Sequence, residues 1–387
     1  MKNYFGAPIK KLGFGFMRLP TLPGKPDTEI DLEKVNEMVD LYMSKGFSYF
    51  DTAYVYHGGK SEVAIRECVV KRYPRDKFQV TTKLPLWGPT TVERMKEITA
   101  EQLERTGLEF FDLYFLHGLG PDSLAQIDGG AWDYLKSLKA NGTAKNIGFS
   151  YHGNAAGLKT LLDAHGEDVD IVQLQLNYLD WDSEDVQSKL CYEEVSKRGI
   201  GVVVMEPLKG GTLVNFADSV KKVLTDANPN ASVASWALRF PIDLDGTVTV
   251  LSGMNTIDNV KDNINTAENY PAKLTEADHK VIQTVLEELK KVPTIPCTRC
   301  NYCAPNCPQN INIPGILGVV NDYAKFQNLA GAKMNYGRMT GPNPFGPPGV
   351  VPAKASDCVN CGTCVEHCPQ HIKIPDELKK AVELLEK

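Results

Sequence analysis

One cysteine run occurs twice in the last quarter of the 387-residue chain. CTRCNYCAPNCPQNINIP fills residues 297–314, and CVNCGTCVEHCPQHIKIP fills residues 358–375. Both copies read C-x-x-C-x-x-C-x-x-x-C-P-Q and both end in Ile-Pro. Eight of the ten cysteines lie in these copies, so this end of the chain is a cysteine-dense module. Only Cys68 and Cys191 lie elsewhere, where we expect them to be ordinary buried residues.

The rest of the sequence favours metal binding over disulfides for this module. The opening MKNYFGAPIKKLGF lacks the apolar segment of a signal peptide, and no apolar run approaches the ~20 residues of a membrane helix. We therefore expect a cytoplasmic protein with no membrane partner, and reduced cysteines there are more often metal ligands. The net charge of -6, without a basic block, argues against a nucleic-acid partner.

The cysteine spacing is typical of iron-sulfur ligands, because three closely spaced thiolates can hold three corners of a cubane. Zinc ribbons instead use two C-x-x-C pairs, so structural zinc sites are the weaker alternative. The run resembles bacterial-type 4Fe-4S ferredoxin domains, and the long insertion between its copies is similar to their helical variety. That resemblance implies two clusters, with the fourth cysteine of each run ligating the other cluster. The expected ligand sets are Cys297, Cys300, Cys303 and Cys368 for one cluster, and Cys358, Cys361, Cys364 and Cys307 for the other.

Two further features of this region predict local structure. Each Ile-Pro pair is expected to begin a helix, since proline suits the first helical turn. The stretch Gly331 to Pro352 between the copies is rich in glycine and proline, and we expect an irregular loop there.

Residues 10–290 alternate short apolar runs with amphipathic segments, a pattern that predicts parallel strands joined by helices. The eight apolar runs are FGFMRL, FSYFDTA, FQVTTKL, FFDLYFLHG, AKNIGFSY, VDIVQLQLNY, GVVVMEPL and TVTVLSGM. The predicted helices between them are Asp31 to Ser44, Val92 to Glu104, Trp132 to Ala140, Val186 to Lys197 and Ser232 to Phe240. Eight repeats in this length fit a closed (β/α)8 TIM barrel. An open doubly wound sheet is the alternative, but no G-x-G-x-x-G turn follows the first strand.

The chain is long enough for two domains. We place the boundary near Val292, after a charged helix from about Thr275 to Lys291. Residues 1–292 would form the barrel, and residues 293–387 a small, mainly α-helical ferredoxin-like domain with two clusters.

Chemically active side chains follow three successive predicted strands: Asp51 and Tyr56, then Lys83, then His117. Because active sites of such barrels lie at the carboxyl ends of the strands, these residues should share one rim. The pattern resembles the catalytic tetrad of the aldo/keto reductases, an Asp-Thr-Ala run followed by Tyr, Lys and His at these strand ends. The resemblance implies that Tyr56 donates a proton and His117 orients a carbonyl. Lys83 would lower the pKa of Tyr56, and Asp51 would keep Lys83 charged.

The same resemblance implies a nicotinamide site, with NADP(H) or NAD(H) as cofactor. Its residues would be Ser150 and Gln173 at the carboxamide, Met205 in place of an aromatic ring, and Gly253, Asn259 and Asn263 at the phosphates. Asn259 stands where an arginine commonly holds the adenosine 2'-phosphate, and Lys261 is the one cation nearby. A strict NADPH preference is therefore not expected. Trp87, Tyr54 and Trp181 are candidate aromatic residues of the substrate pocket.

The two domains together leave three functions open. A nicotinamide delivers two electrons as hydride whereas a cluster passes one, so direct coupling needs a converter such as a flavin, for which we find no motif. The first expectation is a reductase acting on a small carbonyl or alcohol. The second is an electron-transfer enzyme whose partner is ferredoxin or another redox protein. In the third, the ferredoxin-like domain is structural.

Overall fold

The computed structural model describes residues 3–6, 8–87, 91–269, 273–341 and 352–387. Within these ranges, eight parallel strands pair in chain order, and β1 also pairs with β8, which closes a barrel. The strands are β1 (Leu12–Gly15), β2 (Tyr49–Asp51), β3 (Gln79–Pro85), β4 (Phe111–Leu119), β5 (Ala144–Tyr151), β6 (Ile171–Gln175), β7 (Gly201–Met205) and β8 (Thr247–Ser252). The predicted (β/α)8 architecture is confirmed.

Helices alternate with these strands, and all five predicted between strands are present. The helices up to residue 269 are α1 (Leu32–Ser44), α2 (Lys60–Ile65), α3 (Val92–Thr106), α4 (Leu124–Gln126), α5 (Trp132–Ala140), α6 (Ala155–His165), α7 (Ser188–Ser196), α8 (Asp218–Ala227), α9 (Val233–Asp243) and α10 (Ile257–Asn269). Side-chain caps fix the starts of some of these helices. Thr91, for example, accepts the Arg94 N–H at the start of α3, which ends at left-handed Gly107.

Side chains fill the barrel interior. Buried Tyr49, Leu113, Phe115 and Ile171 belong to one interior cluster, while residues on the other face of the strands pack against the helices. Gly148 allows the backbone of β5 to approach the Ile171 carbonyl of β6 closely, because a Cβ at position 148 would lie 1.8 Å from that oxygen. Since the interior is packed, reacting groups can be reached only from the ends of the strands.

The first strand lies earlier in the chain than its apolar run predicted. The run FGFMRL begins at Phe14, but β1 begins at Leu12, which pairs with Val250 of β8. The strand ends at Gly15, and Phe16 then donates its N–H to the Asp51 carbonyl. The second half of the predicted run, including Arg18, therefore lies in the loop at the carboxyl end of the barrel.

The chain divides into two compact units. Unit 1 comprises residues 1–208 and 234–277, and unit 2 comprises residues 209–233 and 278–387. Residues 209–233 connect β7 to α9 but belong to unit 2. There Phe216 lies 6.0 Å from Phe326 between ring centroids, and the Ala217 N–H donates to the Lys325 carbonyl. The domain boundary at Val292 remains a prediction.

Unit 2 is mainly helical around its own apolar core. Its later helices are α11 (Glu276–Lys291), α12 (Ile313–Phe326), α13 (Leu329–Thr340), α14 (Thr363–Glu366) and α15 (Ile374–Leu385), of which α11 begins at the last residues of unit 1. Both predicted Ile-Pro helix starts are confirmed, at α12 and α15. Throughout the described ranges, no helix combines the length and apolarity needed to cross a lipid bilayer.

The irregular loop predicted from Gly331 to Pro352 is wrong in its first half, where α13 continues to Thr340. Asn328 caps this helix by accepting the Gly331 N–H, and Ala332 and Tyr336 bury one face of it in the core of unit 2. Tertiary packing thus outweighs the low helix propensity of its glycines. Residues 342–351 of the predicted loop lie outside the described residues.

Candidate active site

The tetrad proposed from the sequence lies together at the carboxyl end of the barrel. Asp51 ends β2, Lys83 lies on β3, and His117 lies on β4, opposite Pro85 in the strand register. Tyr56 begins a 3-10 turn, Tyr56–Gly59, shortly after β2. Adjacent parallel strands place these side chains next to each other although they are far apart in sequence.

Lys83 is the centre of this group. Its Nζ donates to Asp51 Oδ1 at 2.5 Å, to the Thr52 carbonyl at 2.8 Å and to the Tyr56 hydroxyl at 3.5 Å. These contacts use all three protons of an ammonium group. Burial alone would lower the pKa of Lys83, but the Asp51 carboxylate and Tyr56 outweigh it and raise that pKa. Lys83 is therefore charged at neutral pH.

Tyr56 differs from the sequence-based expectation of a lowered pKa. Burial is the largest influence and raises the pKa of Tyr56, and the opposing effect of Lys83 does not compensate for it. The Tyr56 hydroxyl thus keeps its proton in the free protein. Lys83 still favours the phenolate that forms when this proton leaves.

His117 is neutral. Burial, followed by the charges of Lys83 and His152, lowers its pKa to about 2. Its ring meets Tyr56 edge-on, with centroids 5.9 Å apart, and lies 4.8 Å from the ring of Trp87. Among the described residues, His117 Nδ1 is buried without a hydrogen-bond partner. A buried polar atom of this kind is available to a bound molecule.

Both proposed carboxamide contacts lie at the same rim. Gln173 Nε2 donates to Asp51 Oδ2 at 3.3 Å, which places the Gln173 side chain inside the barrel mouth beside the tetrad. Ser150 Oγ accepts the Gly118 N–H at 2.8 Å, so its own hydroxyl proton can be donated elsewhere. Met205 ends β7.

The residues proposed for the phosphates have local partners. Buried Asn263 donates from Nδ2 to Ser252 Oγ at 2.7 Å, and exposed Asn259 accepts the Asn255 N–H at 3.3 Å. These contacts hold the turn between β8 and α10, and Gly253 lies in that turn. Lys261 is exposed and pairs with Asp258 at 3.1 Å.

Three charged or titratable residues at this rim were not identified from the sequence: Arg18, His152 and Glu206. Arg18 Nη2 lies 3.6 Å from Glu206 Oε1. Burial lowers the pKa of His152, and Glu206 partly opposes this. Each of the three comes within three residues of a strand end, which is the signal that could have identified them.

Glu206 has unusual backbone geometry, with φ of 56° in the left-handed region. Its carbonyl accepts a hydrogen bond from Asn177 Nδ2 at 3.1 Å. Non-glycine residues in this conformation are strained and are concentrated at functional sites.

The other two candidate pocket aromatics have structural partners. The Tyr54 hydroxyl donates to Glu101 at 2.7 Å, and the Tyr54 ring lies under Arg105. Trp181 packs on Phe240 with ring centroids 5.2 Å apart. Trp87 is thus the candidate that the structure places against the tetrad.

The cysteines of unit 2 line two separate cavities. One cavity is lined by Cys307, Cys358, Cys361 and Cys364, and the other by Cys297, Cys300, Cys303 and Cys368. Each cavity thus combines three cysteines of one copy with the fourth cysteine of the other. In the described ranges, no group of three or more Cys, His, Asp or Glu side chains surrounds a single metal-ion position.

The duplication extends to the backbone. Arg299 and Asn360 occupy equivalent positions and have φ of 57° and 56°, and Asn310 and His371 have φ of 53° and 54°. Asn301 and Gly362 form a third equivalent pair, with φ of 65° and 82°. Left-handed residues turn successive N–H groups towards a concave centre, an arrangement found at iron-sulfur and other anionic sites.

Comparison with known proteins assigns both parts of the chain. Residues 11–287 match the profile of the aldo/keto reductase family, and residues 296–373 match that of the 4Fe-4S dicluster domain. The chain is 30% identical over 215 residues to a probable aldo-keto reductase 1 of Glycine max, covering 53% of this chain and 58% of that one. This match spans little more than half the length of that relative.

Two other proteins match over longer stretches. An NADH-specific methylglyoxal reductase of Escherichia coli K12 is 23% identical over 329 residues, covering 73% of this chain and 96% of that one. The structure of an aldo/keto reductase from Klebsiella pneumoniae, solved with NADP and acetate, superposes with a TM-score of 0.57. Its identity is 17%, over 72% of this chain and 92% of that one. With its profile match over residues 11–287, its closed barrel and its C-terminal dicluster match, this chain belongs to the aldo/keto reductase family and carries a 4Fe-4S dicluster domain.

Proposed function

We propose that the protein is an oxidoreductase that transfers hydride between a nicotinamide cofactor and a small carbonyl or alcohol. The observation that carries this proposal is the buried Lys83 ammonium, which contacts both Asp51 Oδ1 and the Tyr56 hydroxyl. This arrangement can donate a proton and stabilise the phenolate left behind. Carbonyl reduction needs such a donor in addition to hydride.

The roles of the tetrad follow from its protonation states. When bound, the nicotinamide supplies the hydride that reaches the carbonyl carbon. Tyr56 gives its hydroxyl proton to the carbonyl oxygen, and Lys83 stabilises the resulting phenolate by charge and by a hydrogen bond. Asp51 keeps Lys83 charged and fixed in position. Neutral His117 hydrogen-bonds to the carbonyl oxygen and orients it towards Tyr56.

The residues at the mouth of the barrel fit a nicotinamide. Ser150 can donate its hydroxyl proton, and Gln173 presents its amide beside Asp51. The Klebsiella pneumoniae enzyme solved with NADP has the same fold, which supports nucleotide binding by this chain. Because Asn259 carries no charge at the position where an arginine commonly holds the 2'-phosphate, we propose that NADH serves at least as well as NADPH.

Unit 2 fits two 4Fe-4S clusters, one in each cysteine-lined cavity. Four thiolates per cavity match the donor set that such a cluster requires, and the left-handed residues of each copy would direct N–H groups towards a bound cluster. The clusters would carry electrons to or from a redox partner such as ferredoxin. A cytoplasmic location belongs to the same proposal, because these thiols must stay reduced.

A second function is electron transfer through the clusters to a flavin or substrate at the barrel mouth. Cys300 and Cys361, one ligand in each cavity, are exposed, which favours electron exchange at the protein surface. A flavin would convert between the one-electron chemistry of the clusters and the two-electron chemistry of hydride.

An anaerobic optical titration of the holoprotein with NADH and NADPH distinguishes these functions. We first measure iron, sulfide and extracted flavin on the same sample. Nucleotide binding that leaves the clusters oxidised supports the reductase, whereas bleaching of the cluster absorption supports the electron-transfer enzyme. Failure of both nucleotides to bind refutes the hydride-transfer proposal.

The Tyr56→Phe variant tests the proton donor. We expect carbonyl reduction to be abolished while nucleotide affinity and cluster content stay at the wild-type level. Unchanged turnover in this variant would refute the assignment of Tyr56.

A further inference from the structure

We propose that Arg18 binds the diphosphate of the nicotinamide nucleotide, a role that rests on the function proposed above. Phosphate groups in (β/α)8 barrels commonly bind at the loops that follow strands 7 and 8. In this chain those loops begin with Glu206 and Gly253, and Arg18 lies against both.

Packing places Arg18 between the two loops. A Cβ built on Gly253 would lie 3.5 to 3.7 Å from the Cβ, Cγ and Cδ atoms of Arg18, so the Arg18 stem covers this glycine at ordinary contact distance. The guanidinium at the end of that stem lies 3.6 Å from Glu206 Oε1. The cationic group is therefore next to the turn after β7.

The loop that carries Arg18 is fixed beside the tetrad. Leu19, the next residue, donates its N–H to His57 Nε2 at 3.3 Å. Nε2 is thus the unprotonated nitrogen of His57, and Nδ1 donates to the Asp27 carbonyl at 2.7 Å. His57 is buried and follows Tyr56 directly, so it links the loop to the proton donor.

Arg18 is available to an anion. Its contact with Glu206 is too long for a hydrogen bond, and the two side chains are 40% and 33% exposed. Exposed pairs of this kind are weak, whereas a guanidinium can make two charge-assisted hydrogen bonds to a phosphate.

Glu206 would hold the guanidinium in place before the nucleotide binds. When the nucleotide binds, Arg18 would exchange the Glu206 carboxylate for a phosphate of the nucleotide. The Glu206 carboxylate would also repel that phosphate, so it would weaken nucleotide binding.

The test measures dissociation constants of NADH and NADPH for the anaerobic holoprotein and its variants. We expect Arg18→Ala to raise both constants by about tenfold to a hundredfold, because both nucleotides carry the diphosphate. Arg18→Lys should recover part of this loss, and Glu206→Gln should lower both constants by about twofold to fivefold. Arg72→Ala, which removes an arginine paired with Asp40 elsewhere in unit 1, should leave both constants unchanged.

Three results would overturn the role of Arg18. They are dissociation constants of Arg18→Ala within twofold of the wild-type values, a loss confined to NADPH, and a higher KM for the carbonyl substrate with normal nucleotide affinity. The second would place Arg18 at the 2'-phosphate, and the third would place it at an anionic group of the substrate. A wild-type protein that binds neither nucleotide would refute the underlying function as well.

Discussion

Replacing Lys83 by methionine tests the buried ion pair at the barrel rim. Methionine keeps much of the side-chain volume but removes the charge opposite Asp51. The Lys83 and Asp51 side chains are 1% and 4% exposed, so the remaining carboxylate is almost fully excluded from water. Its other side-chain partner is Gln173, whose Nε2 lies 3.3 Å away. Removing one member of a buried pair typically costs about 3 to 5 kcal/mol of stability.

The pH dependence of this loss follows from protonation of Asp51. Burial already raises the pKa of Asp51 in the wild-type protein, and loss of Lys83 removes its strongest opposing influence. The folded variant therefore keeps a proton that the unfolded chain releases near its ordinary pKa of about 3.9. Between these two pKa values, the free energy of unfolding falls by about 1.4 kcal/mol per pH unit as pH rises. By pH 8, protonation of Asp51 can lower the free energy of unfolding by at most about 5.6 kcal/mol, which is large enough for the expected loss of stability.

Urea unfolding followed by tryptophan fluorescence measures this effect in unit 1. All four tryptophans, Trp87, Trp132, Trp181 and Trp236, belong to that unit. We expect the Lys83→Met variant to be about 3 to 5 kcal/mol less stable than wild type at about pH 8, with much of the loss recovered by about pH 5.5. Adding Asp51→Asn should restore stability at pH 8, because no charge is then buried.

The matched control is Lys71→Met, which removes a lysine from an exposed pair with Glu67. It should change stability little at any pH. If Lys83→Met resembled this control, or if its loss did not diminish at lower pH, the argument from burial would be wrong.

Three further predictions concern other parts of the protein. Cys307→Ser should remove the same cluster as Cys361→Ser and leave the same residual electron paramagnetic resonance spectrum, whereas different spectra would contradict the pairing of cysteines across the two copies. Because burial lowers the pKa of His117 to about 2, the pH profile of kcat/KM should show no ionisation of this residue between about pH 5.5 and 8; a step that disappears in His117→Gln would refute this. Phe216→Ala should cost unit 2 about 3 kcal/mol by removing the contact with Phe326, so that urea releases the clusters at a lower concentration; an unchanged midpoint would contradict this role.

Repetition and regular geometry explain what could be predicted from the sequence. Parallel strands in a closed barrel end at one rim, so the strand pattern alone predicts that Asp51, Lys83 and His117 lie together. The spacing in each copy of the duplicated run likewise indicates that its first three cysteines share a cavity, whereas the exchange of the fourth cysteine is what the resemblance to ferredoxins implies. Both inferences depend on features that repeat along the chain, and local irregularities do not affect them.

Local conformation and long-range packing explain what could not be predicted. The run FGFMRL includes Arg18 within an apparent strand, and only the pairing of β1 with its neighbours, which ends at Gly15 opposite Asp51, shows that this strand ends before Arg18. Glu206 adopts a left-handed backbone conformation that glutamate seldom favours, so the sequence does not reveal this conformation. The raised pKa of Tyr56 reflects burial by distant segments, whereas residue types alone indicated only the opposing charge of Lys83.

The membership of residues 209–233 in unit 2 has a consequence for synthesis on the ribosome. Phe216 and the rest of this segment leave the ribosome about 110 residues before Phe326. At roughly 5 to 20 residues per second, the segment waits about 5 to 20 s for its packing partner. During that interval Leu213, Phe216 and Val220, all buried in the folded protein, are apolar side chains without cover. A nascent chain of this protein thus exposes apolar surface, which favours aggregation or chaperone binding, at a point where residues up to Ala277 have already been synthesised.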